Sequence, residues 1–172
     1  MSQYGKSLMI KTATNTIPTY SMSCLQILAK KIKKIDAVKR DLWWGFEEKR
    51  GTYFTSWKNL SLHKNLGGQG FRDLRVLNQS LLVRAAWRIC INVYEQWVKA
   101  MQAKYFPSTS LLHASIKTNC SWAWNGIQKQ VRFKKQHSRW RLGKGNKIKL
   151  WLNDWVVGMD TPPALRNGAS DS

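Results

Sequence analysis

The sequence predicts a mainly α fold with a small β component: a helical bundle followed by a C-terminal β-hairpin. Two periodicities carry that reading. Between Leu25 and Phe46, between Phe71 and Tyr105 and between Trp122 and Val131, apolar residues return every three or four positions, as on one face of a helix. From Arg139 to Leu152 the period drops to two around a glycine-rich turn, the pattern of a hairpin. With 172 residues, of which 43% are hydrophobic, the chain can bury a core in one ordinary domain or two small ones.

In order along the chain, Leu8 to Thr16 suits a short helix, and Pro18 disfavours helical geometry at Ile17, so a boundary is expected there. Leu25, Leu28, Ile32, Ile35, Leu42 and Phe46 form the stripe of a long amphipathic helix that Lys39 alone interrupts, with Lys30, Lys31, Lys34 and Arg40 largely off the stripe. Gly45 or Gly51 is expected to end it. Thr52-Tyr53-Phe54-Thr55-Ser56-Trp57 mixes β-branched and aromatic residues and reads as a short strand. Asn65-Leu66-Gly67-Gly68-Gln69-Gly70 reads as a turn. Helical spacing resumes from Phe71 to Ile91 through Leu74, Leu77, Leu81, Val83 and Trp87. A partner helix carries Tyr94, Trp97, Val98, Met101 and Tyr105 as far as Pro107. Ser121 has the character of an N-cap for a further helix with Trp122, Trp124, Ile127 and Val131 on one side. In the hairpin, Trp140, Leu142, Ile148, Leu150 and Leu152 alternate with Arg141, Lys147, Lys149 and Trp151 about Gly143-Lys144-Gly145-Asn146. Beyond Val157 the chain turns small and polar, as a frayed tail would. The expected divisions are 1–60, 61–110, 111–156 and a tail over 157–172.

Charge sets the class of partner. Twenty-nine Lys and Arg against nine Asp and Glu give +20, which implies a polyanion, nucleic acid before anionic membrane. From Gln96 to Asn153 there is no acidic residue, while Lys99, Lys104, Lys117, Lys129, Arg132, Lys134, Lys135, Arg139, Arg141, Lys144, Lys147 and Lys149 supply twelve positive charges. A solvated face usually mixes both signs, so this stretch is the candidate polyanion surface. Of the ten tryptophans most are expected in packing and a few as stacking surfaces. Every apolar run is broken by charge short of the roughly 20 residues that span a bilayer, and no secretory segment opens the chain, so a soluble intracellular protein without a membrane partner is expected.

Catalytic and metal chemistry find little support. Two-metal phosphoryl transfer needs clustered carboxylates, and the one adjacent pair, Glu47-Glu48, lies beside Lys49-Arg50 where surface ion pairing suffices. Gly67-Gly68-Gln69-Gly70 lacks the Lys-Ser/Thr of a phosphate loop, and Gly143-Lys144-Gly145 fits a hairpin turn. His63, His113 and His137 are dispersed, and Cys24, Cys90 and Cys120 form no C-x-x-C, so reduced, mostly buried thiols are expected. No cofactor, metal or small-molecule substrate is expected.

A series of short words follows one order that resembles plant LINE-type (non-LTR retrotransposon) reverse transcriptases. The first are Gly5-Lys6-Ser7-Leu8-Met9-Ile10-Lys11 with Ile17-Pro18-Thr19-Tyr20-Ser21-Met22-Ser23, then Leu42-Trp43-Trp44-Gly45, Ser56-Trp57-Lys58-Asn59-Leu60 and Gly67-Gly68-Gln69-Gly70-Phe71-Arg72-Asp73-Leu74. Asn78, Leu81-Leu82, Trp87-Arg88, Lys104-Tyr105-Phe106-Pro107, Ser121-Trp122, Trp124 and Arg139-Trp140-Arg141 through Gly143, Gly145, Ile148, Trp151, Asp154 and Trp155 continue it. The resemblance spans residues 5 to 156. His63 and Ala29 stand where the family carries proline, and Gln69 where it carries an apolar residue.

The resemblance implies the region after the polymerase palm, a helical thumb-like segment and its continuation before the zinc-binding and ribonuclease H segments. The parent activity is then RNA-directed DNA polymerase, with the paired aspartates in the palm. The expected function of this chain is non-catalytic: binding RNA, DNA or a hybrid, in contact with the parent's palm and downstream domains, in the nucleus. Lys134, Lys135, Arg139, Trp140, Arg141, Lys144, Lys147, Lys149 and Trp151 are the expected nucleic-acid contacts, the cations on phosphates and the tryptophans on bases. The alternative is a decayed element product with no selected function.

Overall fold

The structure, a computed structural model, describes residues 1–45, 53–115 and 118–139. The chain divides into two compact units, Met1–Val131 and Arg132–Ser172. The described helices are α1 (Gln3–Met9), which continues as a π turn (Ile10–Thr14), α2 (Thr19–Cys24), α3 (Ala29–Trp44), α4 (Trp57–Leu60), α5 (Leu74–Ile91), α6 (Gln96–Tyr105) and α7 (Trp122–His137). Short 3₁₀ turns cover Lys64–Leu66 and Leu111–His113.

Helical structure begins earlier than Leu8, because Ser2 caps α1 by accepting a hydrogen bond from the Gly5 amide. Threonine hydroxyls then compete for helix carbonyls: Thr12 donates to Leu8 O and Thr14 to Ile10 O, at 2.8 and 2.7 Å. The helix loosens into its π turn over this stretch. A π turn closes i to i+5, so Ile10 and Asn15 share the side that faces α3, and both are buried.

The stripe read from the sequence does form α3, and Gly45 ends it in the left-handed conformation, φ 77°, a backbone geometry glycine adopts freely. Lys39, however, is no interruption of that stripe. It lies between Ile32, Ile35 and Trp43 on the buried face and is itself 0% exposed.

No strand occurs among the described residues, which corrects the expected β component: the described fold is α-helical. The strand read over 52–57 is replaced at its end by α4, because Ser56 caps a helical turn, accepting from Asn59 N at 3.2 Å. Tyr53 and Phe54 spend their rings on α3 instead of on a sheet. Phe54 packs on Trp44 at 5.4 Å, and Tyr53 stacks under the Arg40 guanidinium at 4.6 Å and donates to Asp41 at 3.0 Å. Without a second strand, β-branched content alone stabilises nothing. The hairpin expected over Arg139 to Leu152 lies outside the described residues, apart from Arg139, as do Glu47-Glu48, Gly51 and the tail.

The expected turn before α5 is built on glycines. Gly67 and Gly70 have φ of 79° and 68°, and a side chain on Gly68 would collide with the Leu62 carbonyl. Asp73 then starts α5 by accepting from the Arg75 and Val76 amides. The buried face of α5 is Leu74, Asn78, Leu82, Ala86 and Ile89. Trp87, expected on the stripe, is 47% exposed.

Three apolar clusters hold the first unit. Ile10, Trp43, Leu60 and Phe71 join α1's π turn to α3 and α4, with Phe71 stacked on Trp57 and edge-on to Trp43. Met22, Ile32 and Leu74 join α2, α3 and α5. The largest, around Leu82, Ala86, Ile89, Val98 and Trp124, joins α5, α6 and the start of α7. There Tyr105 stacks parallel to Trp124 at 4.4 Å, and Ser121 caps α7 as expected, accepting from Trp124 N. Each fully buried large side chain of this kind contributes about 2 kcal/mol. Trp122 does not join it and is exposed, as is Cys24, while Cys90 and Cys120 are half-buried.

Candidate nucleic-acid interface

Between the clusters of Met22 and of Leu82, one polar side chain is buried. Asn78 donates from Nδ2 to the carbonyls of Met22 and Leu25, both at 2.8 Å, and accepts from the Ile27 amide at 2.9 Å. Those groups lie at the end of α2 and in the link to α3, where helical partners run out. Asn78 therefore fixes the direction in which α3 leaves, and with it the cations that α3 carries.

Lys30, Lys31, Lys33 and Lys34 are all exposed on the first turns of α3. Lys39 is not part of that surface. Its ammonium donates to Asn15 Oδ1 at 2.9 Å and lies 3.8 Å from Asp36. Burial holds its pKa below the ordinary lysine range despite the attraction of Asp36 and Asp73. Burial likewise raises the Asp36 carboxyl, against the opposing pull of Lys39. Desolvation of both partners outweighs their attraction across this distance.

The acidic residues show where neutralising charge is spent. Asp36, Asp41, Asp73 and Glu95 are the described carboxylates, and each has a structural task. Asp36 faces Lys39, Asp41 accepts from Tyr53, and Asp73 caps α5. Glu95, at the start of α6, accepts from Asn92 at 2.6 Å, from the Trp97 indole and from Arg88 at 3.0 Å. The Asn92 bond first, then the Trp97 bond, hold its carboxyl below the usual range.

Of the contacts expected from sequence, Lys134, Lys135 and Arg139 are described; Trp140, Arg141, Lys144, Lys147, Lys149 and Trp151 lie outside the described residues. Lys135 and Arg139 are exposed, but Lys134 is only 6% exposed. Neighbours on a helix point about 100° apart, so an adjacent pair cannot share one direction. Arg132 adds a further exposed cation to the second unit. The end of α7 is tied by Ser138 donating to Lys134 O at 2.6 Å and by the His137 ring stacked on Phe133 at 4.1 Å.

Another cationic face went unread in the sequence: Arg84, Trp87, Arg88 and Ile91 on α5, spaced i, i+3, i+4 and i+7 and exposed together. The spacing is visible in the sequence, but a tryptophan within helical spacing reads as core. Among the described residues no group of three or more His, Cys, Asp or Glu converges as a metal site, and no helix is long and apolar enough to cross a membrane.

Over 151 residues the chain is 32% identical to "Uncharacterized mitochondrial protein AtMg00310" of Arabidopsis thaliana, covering 87% of this chain and 98% of that protein. The chain belongs to that protein's family. A second Arabidopsis thaliana relative, "Putative ribonuclease H protein At1g65750", is 25% identical over 162 residues, 92% of this chain but 26% of the relative, so the chain spans about a quarter of it. No family model matches the sequence, and no solved structure matches it.

Proposed function

We propose that this chain is a non-catalytic nucleic-acid-binding segment of a plant retroelement, of LINE-type reverse transcriptase descent, that holds RNA, DNA or their hybrid through phosphate contacts. The observation that carries it is the allocation of charge. Each described carboxylate is committed to a cap, a buried lysine, a tyrosine hydroxyl or a link between helices, while Lys30, Lys31, Lys33 and Lys34 in the first unit and Arg132 and Lys135 in the second are exposed. Exposed cations whose neighbouring counter-charges are spent on structure attract polyanions. The ordered motifs shared with the reverse transcriptases support the retroelement descent, and the relative named as a ribonuclease H protein agrees with it. On this reading the chain takes no cofactor, works in the nucleus and packs against other domains of a polymerase.

One observation favours a second reading, a decayed element product without a selected role: Ile17, Tyr20, Leu28 and Val38 are exposed apolar side chains that nothing described covers. A salt titration separates the two. Fluorescence anisotropy with labelled single-stranded and duplex oligonucleotides is expected to give a log-log salt slope of several units. Replacing Arg132, Lys135, Arg139 and Arg141 with Gln is expected to flatten it by about 3 for single strands, at about 0.7 per phosphate contact. The same change at Lys30, Lys31, Lys33 and Lys34 is expected to flatten it less. Equal losses refute a localised surface, and a wild-type chain that binds neither oligonucleotide at low salt refutes the function.

A further inference from the structure

We propose that Trp122, at the start of α7, is a stacking platform for an unpaired base of single-stranded nucleic acid, with Lys129 on the adjoining phosphates. The proposal rests on the phosphate-binding reading above and adds to it a dependence on bases, which phosphate contacts do not supply.

The outward direction of this ring is built into the helix. Side chains two positions apart on a helix point about 200° apart, so burying Trp124 turns Trp122 to solvent. Trp124 is 1% exposed and is stacked on Tyr105 at 4.4 Å and on Phe106 at 5.6 Å. The residue before Trp122 is tied as well: the Tyr105 hydroxyl donates to Ser121 Oγ at 3.0 Å and accepts from the Ser121 amide at 3.3 Å. Trp122 therefore sits between two anchored residues, is 79% exposed and belongs to none of the three apolar clusters. Its indole makes no hydrogen bond or ring contact among the described residues. Burying an indole is favourable, so a ring fixed in this direction is a surface available to a ligand.

Charge selects the occupant. On the same face Asn125 and Lys129 follow at i+3 and i+7, both exposed and with side chains that make no hydrogen bond or ion pair among the described residues. The sequence of α7 holds no acidic residue. An aromatic surface on such a helix suits a ligand that is planar and anionic, and an unpaired nucleotide is both. Lys129 lies about 10 Å further along the helix axis, and its long side chain leans back toward the N-terminus. Three nucleotides of a stacked strand cover that distance at about 3.4 Å each, and fewer cover it when unstacked. A base on Trp122 therefore leaves the adjoining phosphates within reach of Lys129, with the Asn125 amide between them. An acidic, aromatic segment of another protein is the competing occupant, and it has no need of a nucleotide base.

The test uses the full chain and two fluorescein-labelled 15-nucleotide probes of equal backbone charge, oligo(dT) and a strand of abasic sites, each titrated at several salt concentrations. The wild type is expected to bind oligo(dT) more tightly than the abasic strand. Trp122→Ala is expected to weaken oligo(dT) binding between about fivefold and about a hundredfold, with the abasic affinity and both salt slopes unchanged. Trp122→Phe is expected to recover most of the loss, because it keeps a π face. Lys129→Gln is expected to flatten both slopes by about 0.7. Circular dichroism and a urea midpoint check that the variants fold. If the wild type binds both probes but Trp122→Ala changes neither, the stacking platform is refuted while phosphate binding stands, and Trp122 is then a protein contact. If the variant weakens both probes equally, stacking is also refuted. A wild type that binds neither probe removes the phosphate-binding reading as well.

Discussion

Replacing Asn78 with Ala should cost more than any exposed substitution in the protein, and the structure gives the magnitude. Asn78 is 4% exposed and makes three hydrogen bonds at 2.8, 2.8 and 2.9 Å to the Met22 carbonyl, the Leu25 carbonyl and the Ile27 amide. Truncation leaves these three backbone groups without that partner in a region water reaches poorly. At about 1 kcal/mol for each, near the low end for unsatisfied buried groups, the loss is about 3 kcal/mol. That is a large part of the ~5–15 kcal/mol typical of a whole domain. With a urea slope of about 2 kcal/mol per molar, the midpoint followed by circular dichroism falls by about 1.5 M. Asn78→Leu separates bonding from packing, since it restores volume while offering no donor or acceptor. It is expected to be as unstable as Asn78→Ala, and hydrogen exchange at Ile27 should accelerate in both. A leucine variant as stable as the wild type would falsify the claim that these bonds, rather than filled space, join α2 to α5.

Two other perturbations test the buried polar groups and the family resemblance. Because burial lowers the pKa of Lys39 in the folded protein, its contribution to stability is complete above the ordinary lysine pKa near 10.5 and is lost as pH falls through the lowered value. Stability should therefore rise with pH on the alkaline side, by at most about 1.4 kcal/mol per pH unit for one proton, and Lys39→Met should lack that component. Urea unfolding at a series of pH values from neutral to 10 checks it, and a difference between wild type and variant that stays constant with pH refutes it. Ala29→Pro, which restores the residue that the resemblance places there, should raise stability by about 0.5–1 kcal/mol in the same assay. Ala29 is the first residue of α3, where no helical donor is lost, and Leu28 before it is already extended, φ −63° and ψ 137°; a loss of stability would refute that placement.

What the sequence made legible was periodicity with few exceptions; what it hid was the identity of the exceptions. The stripe of α3 was plain, and Gly45 marked its end, but a lysine inside the stripe reads as a break. Asn15, brought alongside by a π turn 24 positions earlier, accepts from that ammonium, and Asp36 lies 3.8 Å from it. On α5 the run Leu81-Leu82-Val83 offers three consecutive apolar residues, so spacing could not choose among them, and the polar Asn78 concealed the register that makes Leu82 central. Composition also misled at Tyr53-Phe54, where rings that suit a strand pack onto α3, and at Ser56, whose hydroxyl starts a helix. The net charge was fully readable, but the direction of each cation was not. Lys134 and Lys135 are adjacent in sequence, and one is buried while the other is exposed.

That difference governs how the basic surface must be probed. A set of cations chosen by sequence proximity mixes surface charges with interior ones: Lys39 sits among the α3 lysines in sequence, and Lys134 among the cations at the end of α7. Neutralising Lys39 removes a donor from buried Asn15 and alters folding, so a weaker affinity in such a variant says nothing about phosphates. A fair comparison keeps Lys39 and Lys134 intact and matches the sets by exposure as well as by number. Under that condition net charge falls equally in both variants, and long-range attraction, which follows net charge, falls with it. Any remaining difference in salt slope must then come from where phosphates touch the protein. This is why the slope, rather than affinity at one salt concentration, distinguishes a localised interface from a polycation.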